Sequence, residues 1–538
     1  MTLSASLLLG ACENPNAGGS VLEGFSGLVV GDEPRAVHIG EQILDRGGSA
    51  IDAAVAMYFA LSVTMPSRVG LAGGGACVLF TSGDTEDEVE PFAEVLEFLP
   101  GQTANQGPEP DAKPETSGAL TPIAPRAFNV IHARRGLMRW QELVIPAEKM
   151  ASFGYPVSRA FSQDINNAGA LIAQNPELAG ALTGPGGRIV REGDILVQAD
   201  LGSVLSGIRE KGINYLYKAP FGSKLSAAYN AAGVPMTEAL LAQNFPRIDA
   251  GVRVRVGSYF AYLPSPPVDG GLLTAQLWQL LYEVEELADV DEDERAHLLA
   301  EASARAFSQR VKWLPTSDAA DLMPLEEMAV MVDEDYLESM FETYDPDRHL
   351  AAATLDPPPQ PTAANPYSAG FVVADLWGDT VSCSFTMNGL FGRGQFAAGT
   401  GMLLPEDPAP GASSLSPVVV GNENTGDMRF AGVASGGPAG PVALASVMLQ
   451  TLEEDKSLAE ALKAPRVANF GAPDETFVEV TLPTGEMEAL QIRGHQVTTL
   501  PSMATVSAIF CPEGLLDEDE ACQVESDPRG FGMGGRIQ

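Results

Sequence analysis

The sequence predicts an α+β fold. Short apolar runs bounded by glycine and proline read as strands, among them GFVVADL, TVSCSFTM, MRFAGVAS and ETFVEVTL. Longer segments such as DGGLLTAQLWQLLYEVEEL and EDERAHLLAEASARAFSQRVKWL carry apolar residues at helical spacing. The chain has 538 residues, 45% of them hydrophobic, which is enough to build a sizeable core.

The elements follow in order. SGLVVG is a strand and VHIGEQILDRG a helix, ended by Gly47-Gly48. SAIDAAVAMYFALSVTMP is a buried helix of small residues, with Ser49 or Asp52 near its start. RVGLAGGGACVLFTSG is a glycine-rich turn entering a strand. No GK[ST] follows those glycines, so close backbone packing is the better reading than a phosphate cradle. Residues 101–120 form a polar loop, and amphipathic helices continue to about residue 245. GVRVRVGSYFAYLPSPP gives two strands and a proline stop before the two helices quoted above. Residues 351–366, AAATLDPPPQPTAANP, exclude helix and strand and read as a tether. The strands GFVVADL and TVSCSFTM come next, joined by a turn at Gly378. VALASVMLQTLEED is a helix between the last two strands, and there is no internal repeat.

With 71 acidic against 32 basic residues the formal net charge is −39. Such a surface repels phosphate backbones and anionic headgroups, so nucleic acid is not an expected partner. The five cysteines include no CxxC motif, and the five histidines are scattered along the chain, so neither a metal nor a cofactor is expected. Cys77 and Cys383 sit in apolar runs and read as small core residues. Cys511 and Cys522 flank an acidic turn and are expected to pair if the protein is exported. At the N-terminus, Leu9-Gly10-Ala11-Cys12 resembles a bacterial lipobox, although the apolar segment is short and no Lys or Arg precedes it. Residues 1–25 are therefore expected to be a signal and tether, with lipidated Cys12 anchoring the protein in the periplasm or cell envelope. The alternative is a disordered N-terminus with a free or buried cysteine.

An ordered set of motifs resembles the γ-glutamyltransferase family of N-terminal-nucleophile hydrolases. GGSAIDAAVAMYFALSVTMPSRVGLAGGG, GDILVQADLGSVLSGI, LPSPPVDGG, AEASARAF, SSLSP, ALKAPRV and GHQV match it in sequence order over most of residues 26–538. The resemblance implies a four-layer αββα sandwich of the N-terminal-nucleophile hydrolase type. It also implies a large-subunit-like part, 26–367, and a small-subunit-like part, 368–538, that interleave and stay associated after cleavage. SAGFVVADLWGDTVSCSFTMN overlays the start of the family's small subunit without a gap. Ser368 then falls on the nucleophile, Thr386 on its hydroxyl partner and Asn388 on the final asparagine, with Tyr367–Ser368 as the scissile bond.

The chemistry is self-contained. A serine hydroxyl needs a base, and cutting before Ser368 frees an α-amine of pKa ~7.7–8.0 on the same residue. Threonine usually holds this place in the family; serine lacks the methyl that fixes χ1. Gly436 and Gly437 in AGVASGGPAGP are the expected oxyanion donors. A register shifted onto Gly440 and Pro441 would lose an N–H. Ser413 and Ser414 match substrate-binding serines.

Two family features are absent. Leu99, in Glu97-Phe98-Leu99-Pro100, stands where an arginine normally binds the α-carboxylate, and an alkyl group cannot replace a guanidinium. Pro410 stands near the place of the aspartate that binds the α-amino group, with Glu406 or Asp407 as substitutes. Arg393 is a candidate replacement cation. The helix that normally continues into Tyr-Ala-Asp-Arg reads Phe307-Ser308-Gln309-Arg310. Three readings follow: an autoprocessed amidase or acyltransferase with a changed acyl pocket, a γ-glutamyl enzyme with a clamp rebuilt from Arg393, Ser413 and Ser414, or a non-catalytic envelope lipoprotein.

Overall fold

The computed structural model describes residues 26–83, 89–100, 120–284, 290–313, 323–362, 365–408, 414–515 and 522–537. The expected loop 101–120 (except Leu120), Cys12, Pro410 and Ser413 lie outside them.

Two antiparallel sheets form the centre. The seven-stranded sheet runs Met533–Ile537, Gly27–Gly31, Ser368–Asp375, Thr380–Thr386, Gly74–Thr81, Phe92–Glu97, Arg247–Asp249. The six-stranded sheet runs Gln523–Ser526, Thr505–Phe510, Met428–Ser435, Ser416–Gly421, Tyr259–Leu263, Val252–Val256. Both sheets thus combine strands from before and after residue 368.

Side-chain alternation makes four layers of this. In Ser368–Asp375, Phe371 and Val373 join the core that holds the helix Ala50–Thr64, whereas Val372 and Ala374 meet Tyr262, Ala431 and Val433 of the second sheet. In Met428–Ser435, Phe430 and Ala434 pack outward with the helices Asp269–Gln279 and Ala439–Leu452. A strand covered on both faces reads as a continuous apolar run. The helix Ala50–Thr64 is buried at every residue and opens with a capping box of Ser49 and Asp52. The three consecutive glycines behave as close-approach residues: a Cβ on Gly75 would lie 2.3 Å from the Ser384 carbonyl oxygen.

Two expectations are corrected. Cys77 and Cys383 are not free core residues; they are cross-strand partners joined as a disulfide. Cys511–Cys522 is the second disulfide. The periodicity of the chain shows both cysteines to be buried, but which strands pair is invisible in it. The tether also carries some structure: Ala352–Thr354 is a 3₁₀ turn, and Ala352 and Leu355 pack on Ala304.

Three of the five histidines, His297, His349 and His495, meet in space where this tether begins. His349 hydrogen-bonds Glu301 at 2.5 Å and Asp474 at 3.3 Å, while Asp474 also accepts from Ala352 N at 2.8 Å. His297 Nδ1 lies 2.7 Å from His495 Nε2, and His297 Nε2 lies 3.0 Å from the Asp345 carbonyl. Burial alone would lower the His349 pKa; the hydrogen bonds and charges of Asp474 and Glu301 push it up to about 9. His349 is raised above its usual 6.5, so its contribution is fully present below pH ~6.5 and is lost as pH climbs through about 9. His349→Gln is therefore expected to destabilise the protein more at pH 6 than at pH 10, as read by urea unfolding at the two pH values.

Candidate active site

Ser368 opens its strand, and the antiparallel register sets Thr386 directly across from it. The alternation that points Val372 and Ala374 between the sheets sends the even-numbered Ser368 the same way. Ser382, on the Thr386 face, donates to the Gly432 carbonyl of the other sheet at 2.8 Å. Ser368 and Thr386 therefore share the inter-sheet layer at its end, and both are buried. Thr386 Oγ1 accepts from Asn388 N at 2.8 Å and from Asn365 Nδ2 at 3.3 Å. Asn388 has φ 59° and donates from Nδ2 to the Glu406 carbonyl at 3.0 Å.

The glycine pair follows the strand Met428–Ser435 and precedes the helix Ala439–Leu452. Gly436 has φ 139° and Gly437 φ 61°. A Cβ on Gly437 would sit 2.7 Å from the Asn365 carbonyl oxygen, and one on Gly436 would sit 2.5 Å from Ala504 Cα. Gly437 thus lies against the segment immediately upstream of Tyr367–Ser368, at the N-terminal end of a helix, where amides favour negative charge. The shifted register fails for a second reason: Gly440 N already donates to the Gly437 carbonyl at 2.9 Å.

Sequence reasoning missed three charged residues here. Arg68 donates from Nη1 to the Ser368 carbonyl at 2.9 Å. Its other nitrogens bind Asp164 in a fork, Nε at 2.8 Å and Nη2 at 2.6 Å, and Ser67 Oγ adds a bond to Asp164 at 2.6 Å. The guanidinium carbon lies 5.9 Å from the centre of the Tyr367 ring. Asp32 accepts from Gly370 N at 2.9 Å, Ser435 Oγ at 2.9 Å and Ser507 Oγ at 3.1 Å. It ties the nucleophile strand to the strand leading into Gly436. Complete burial raises its pKa, against the charge of Arg68. Arg68 had a local signal, a guanidinium beside the GLAGGG turn, but its partner lies 96 residues away.

Arg393 pairs with Asp407. Arg310 holds the buried Asp269 carboxylate, with Nε at 3.0 Å from Oδ2, and Ser414 lies near that carboxylate. Arg310 thereby keeps a contact to this region although its helix departs from the family pattern. Leu99 packs with Ala76, Val268 and Leu415, so the place of the missing arginine is apolar. The loop after Asn388 is strained: buried Phe391 has φ 61°, a conformation that costs ~1–3 kcal/mol for a bulky residue. Its N–H donates to the Ser67 carbonyl at 2.8 Å. Beside it lies a cavity of about 330 Å³ lined by Pro66, Gly70, Phe391, Phe396, Met402 and Leu403 among others.

His297, Glu301 and His495 offer three donor atoms within 4.8 Å of one another, the one grouping among the described residues with the spacing to hold a cation. Those atoms are already engaged: the two rings with each other, and Glu301 with Arg305 and His349. Two positive side chains facing Glu301 oppose a further cation.

The gamma-glutamyltranspeptidase family model matches residues 36–407 and 410–535. The chain is 31% identical to the acylase ACY 1 proenzyme of Pseudomonas sp. (strain SE83), over 96% of this chain and 95% of that one. It is 27% identical to the glutathione hydrolase proenzyme of Bacillus subtilis (strain 168), over 89% and 86%. Among solved structures, the cephalosporin acylase from Bacillus halodurans has the same fold, with a TM-score of 0.76, 20% identity, and coverage of 98% and 99%.

Removing Arg68 alone strands the buried Asp164 carboxylate. Arg68→Met is expected to cost roughly 3–5 kcal/mol, whereas Arg68→Met with Asp164→Leu costs much less, because it removes the pair together. Denaturant unfolding of both variants measures the difference.

Proposed function

This chain belongs to the gamma-glutamyltranspeptidase family, and from that premise we propose that it is an amide hydrolase or acyltransferase that matures by cutting itself before Ser368. The observation that carries the reading is the position of Ser368. It is the first residue of a buried strand, opposite Thr386, with Asn365 and Pro366 lying against Gly437.

In maturation, Ser368 Oγ loses its proton and attacks the Tyr367 carbonyl carbon. The C–N bond breaks, the nitrogen takes a proton, and an ester joins Tyr367 to Oγ. Water hydrolyses that ester to a Tyr367 carboxylate and a free hydroxyl. Ser368 now carries an α-amine of pKa ~7.7–8.0, able to act as the base. In turnover the amine accepts the hydroxyl proton and Oγ attacks the substrate amide. The N–H groups of Gly436 and Gly437 hold the oxyanion, the leaving amine takes the proton, and water or an acceptor amine discharges the acyl-serine. Thr386 Oγ1, already accepting two hydrogen bonds, has its own proton left to orient Ser368 Oγ. Arg68 fixes the Ser368 backbone and so offsets part of what the missing threonine methyl would do.

The acyl group is one without an α-amino acid end. Leu99 lies in an apolar cluster, and Arg393 is paired with Asp407. These pairings favour a changed acyl pocket over a rebuilt γ-glutamyl clamp involving Ser413. The non-catalytic reading is not favoured, because the similar proteins are proenzymes. Two disulfides suit an oxidising compartment such as the periplasm or envelope, and no described helix is long and apolar enough to cross a membrane. Lipidation of Cys12 remains part of this proposal.

The test is a reducing denaturing gel with N-terminal sequencing, followed by turnover of acyl anilides. The expected outcome is two fragments, the smaller beginning at Ser368, a single chain for Ser368→Ala, and faster turnover of an apolar acyl anilide than of the γ-glutamyl one. An unbroken wild-type chain under reduction contradicts the proposal.

A further inference from the structure

The hairpin that begins at Ser368 carries Cys383, one end of the disulfide Cys77–Cys383. Cys383 belongs to the strand Thr380–Thr386, three residues from Thr386, and its cross-strand neighbours are Phe371 on one side and Cys77 on the other. Cys77 precedes the cut and Cys383 follows it; the bond spans 306 residues of sequence. The other disulfide, Cys511–Cys522, closes a loop wholly downstream of the cut.

We propose that the matured protein is a covalent heterodimer, its two fragments cross-linked by Cys77–Cys383. This rests on cleavage before Ser368. The cut removes the peptide connection at Tyr367, but the strand Gly74–Thr81 of the large fragment stays bonded to the strand facing the nucleophile. Both cysteines have no exposed surface, and they sit in the core with Phe371 and Phe385. A reductant therefore reaches the bond only when the sheet opens. The link stands three residues in from the Thr386–Ser368 pair, with Ser384 and Phe385 between Cys383 and Thr386. It keeps the oxyanion-facing end of the sheet in register after the chain has gained a loose end there.

The step balances. Two thiols lose two protons and two electrons, and an external dithiol–disulfide oxidant of the exported compartment is reduced to its dithiol form. The peptide cut separately consumes one water.

The experiment uses full-length protein purified without reductant, with free thiols blocked before denaturation. It compares non-reducing and reducing denaturing gels with intact masses. The expected result is one non-reducing species that resolves into two fragments on reduction, its mass the sum of theirs less the hydrogens of the two disulfides, and two fragments without reduction for Cys77→Ala with Cys383→Ala. If that pair of changes prevents folding, Cys77→Val with Cys383→Ala keeps the core filled, and tryptic mapping of the wild-type disulfide gives the same answer. Two fragments from wild-type protein on the non-reducing gel, with blocked thiols at residues 77 and 383, overturn the proposal. A single chain under reduction overturns the cleavage itself, a distinct outcome.

Discussion

The site depends on one register: Ser368 opposite Thr386 in the middle of the seven-stranded sheet. A slip by one residue would turn Ser368 toward the helix Ala50–Thr64 and bury Ala369 between the sheets. Three features resist that slip. Gly370 N is bound to Asp32, the Ser368 carbonyl is bound to Arg68, and Cys383 is bonded to Cys77. Each reaches the hairpin from a different neighbour, so Ser368 is held by contacts that lie outside its own strand. The chain reaches it through a tether fastened at His349 and Ala352.

The same register explains how the glycine pair comes into place. Ser435 hydrogen-bonds Asp32, and Asp32 hydrogen-bonds Gly370, so the second sheet is pinned to the first within a few residues of both the nucleophile and Gly436. The αββα layering supplies the parallel faces; the buried carboxylate sets their offset. In the proposed reading, substrate preference is a separate matter, assigned to Leu99 in its apolar cluster and to the cavity beside the loop from Asn388.

Much of the fold was legible in the chain. The strand pair around Gly378, the helix Ala50–Thr64 and the tether all stand where period and punctuation put them, give or take one 3₁₀ turn. The ordered motifs led to the right family because they sample the whole chain. What was not legible depends on pairs distant in sequence. Cys77 and Cys383 each read as core, and only the adjacency of their strands makes them a bond. His297, His349 and His495 read as scattered for the same reason. Arg68 and Asp164 belong to different elements, neither of which carries a catalytic motif. Arg393 was a sound guess at a cation, but Asp407 lies within its own loop and takes it.

The central claim is that Ser368 is the nucleophile, and trapping the acyl-enzyme tests it most directly. Matured protein is incubated with a slowly hydrolysed acyl donor, quenched in acid and digested for peptide mass mapping. The account predicts the acyl mass on a peptide whose first residue is Ser368, carried on its side chain. An acyl group found on another residue, or turnover in protein whose Ser368 is replaced by alanine, would contradict it.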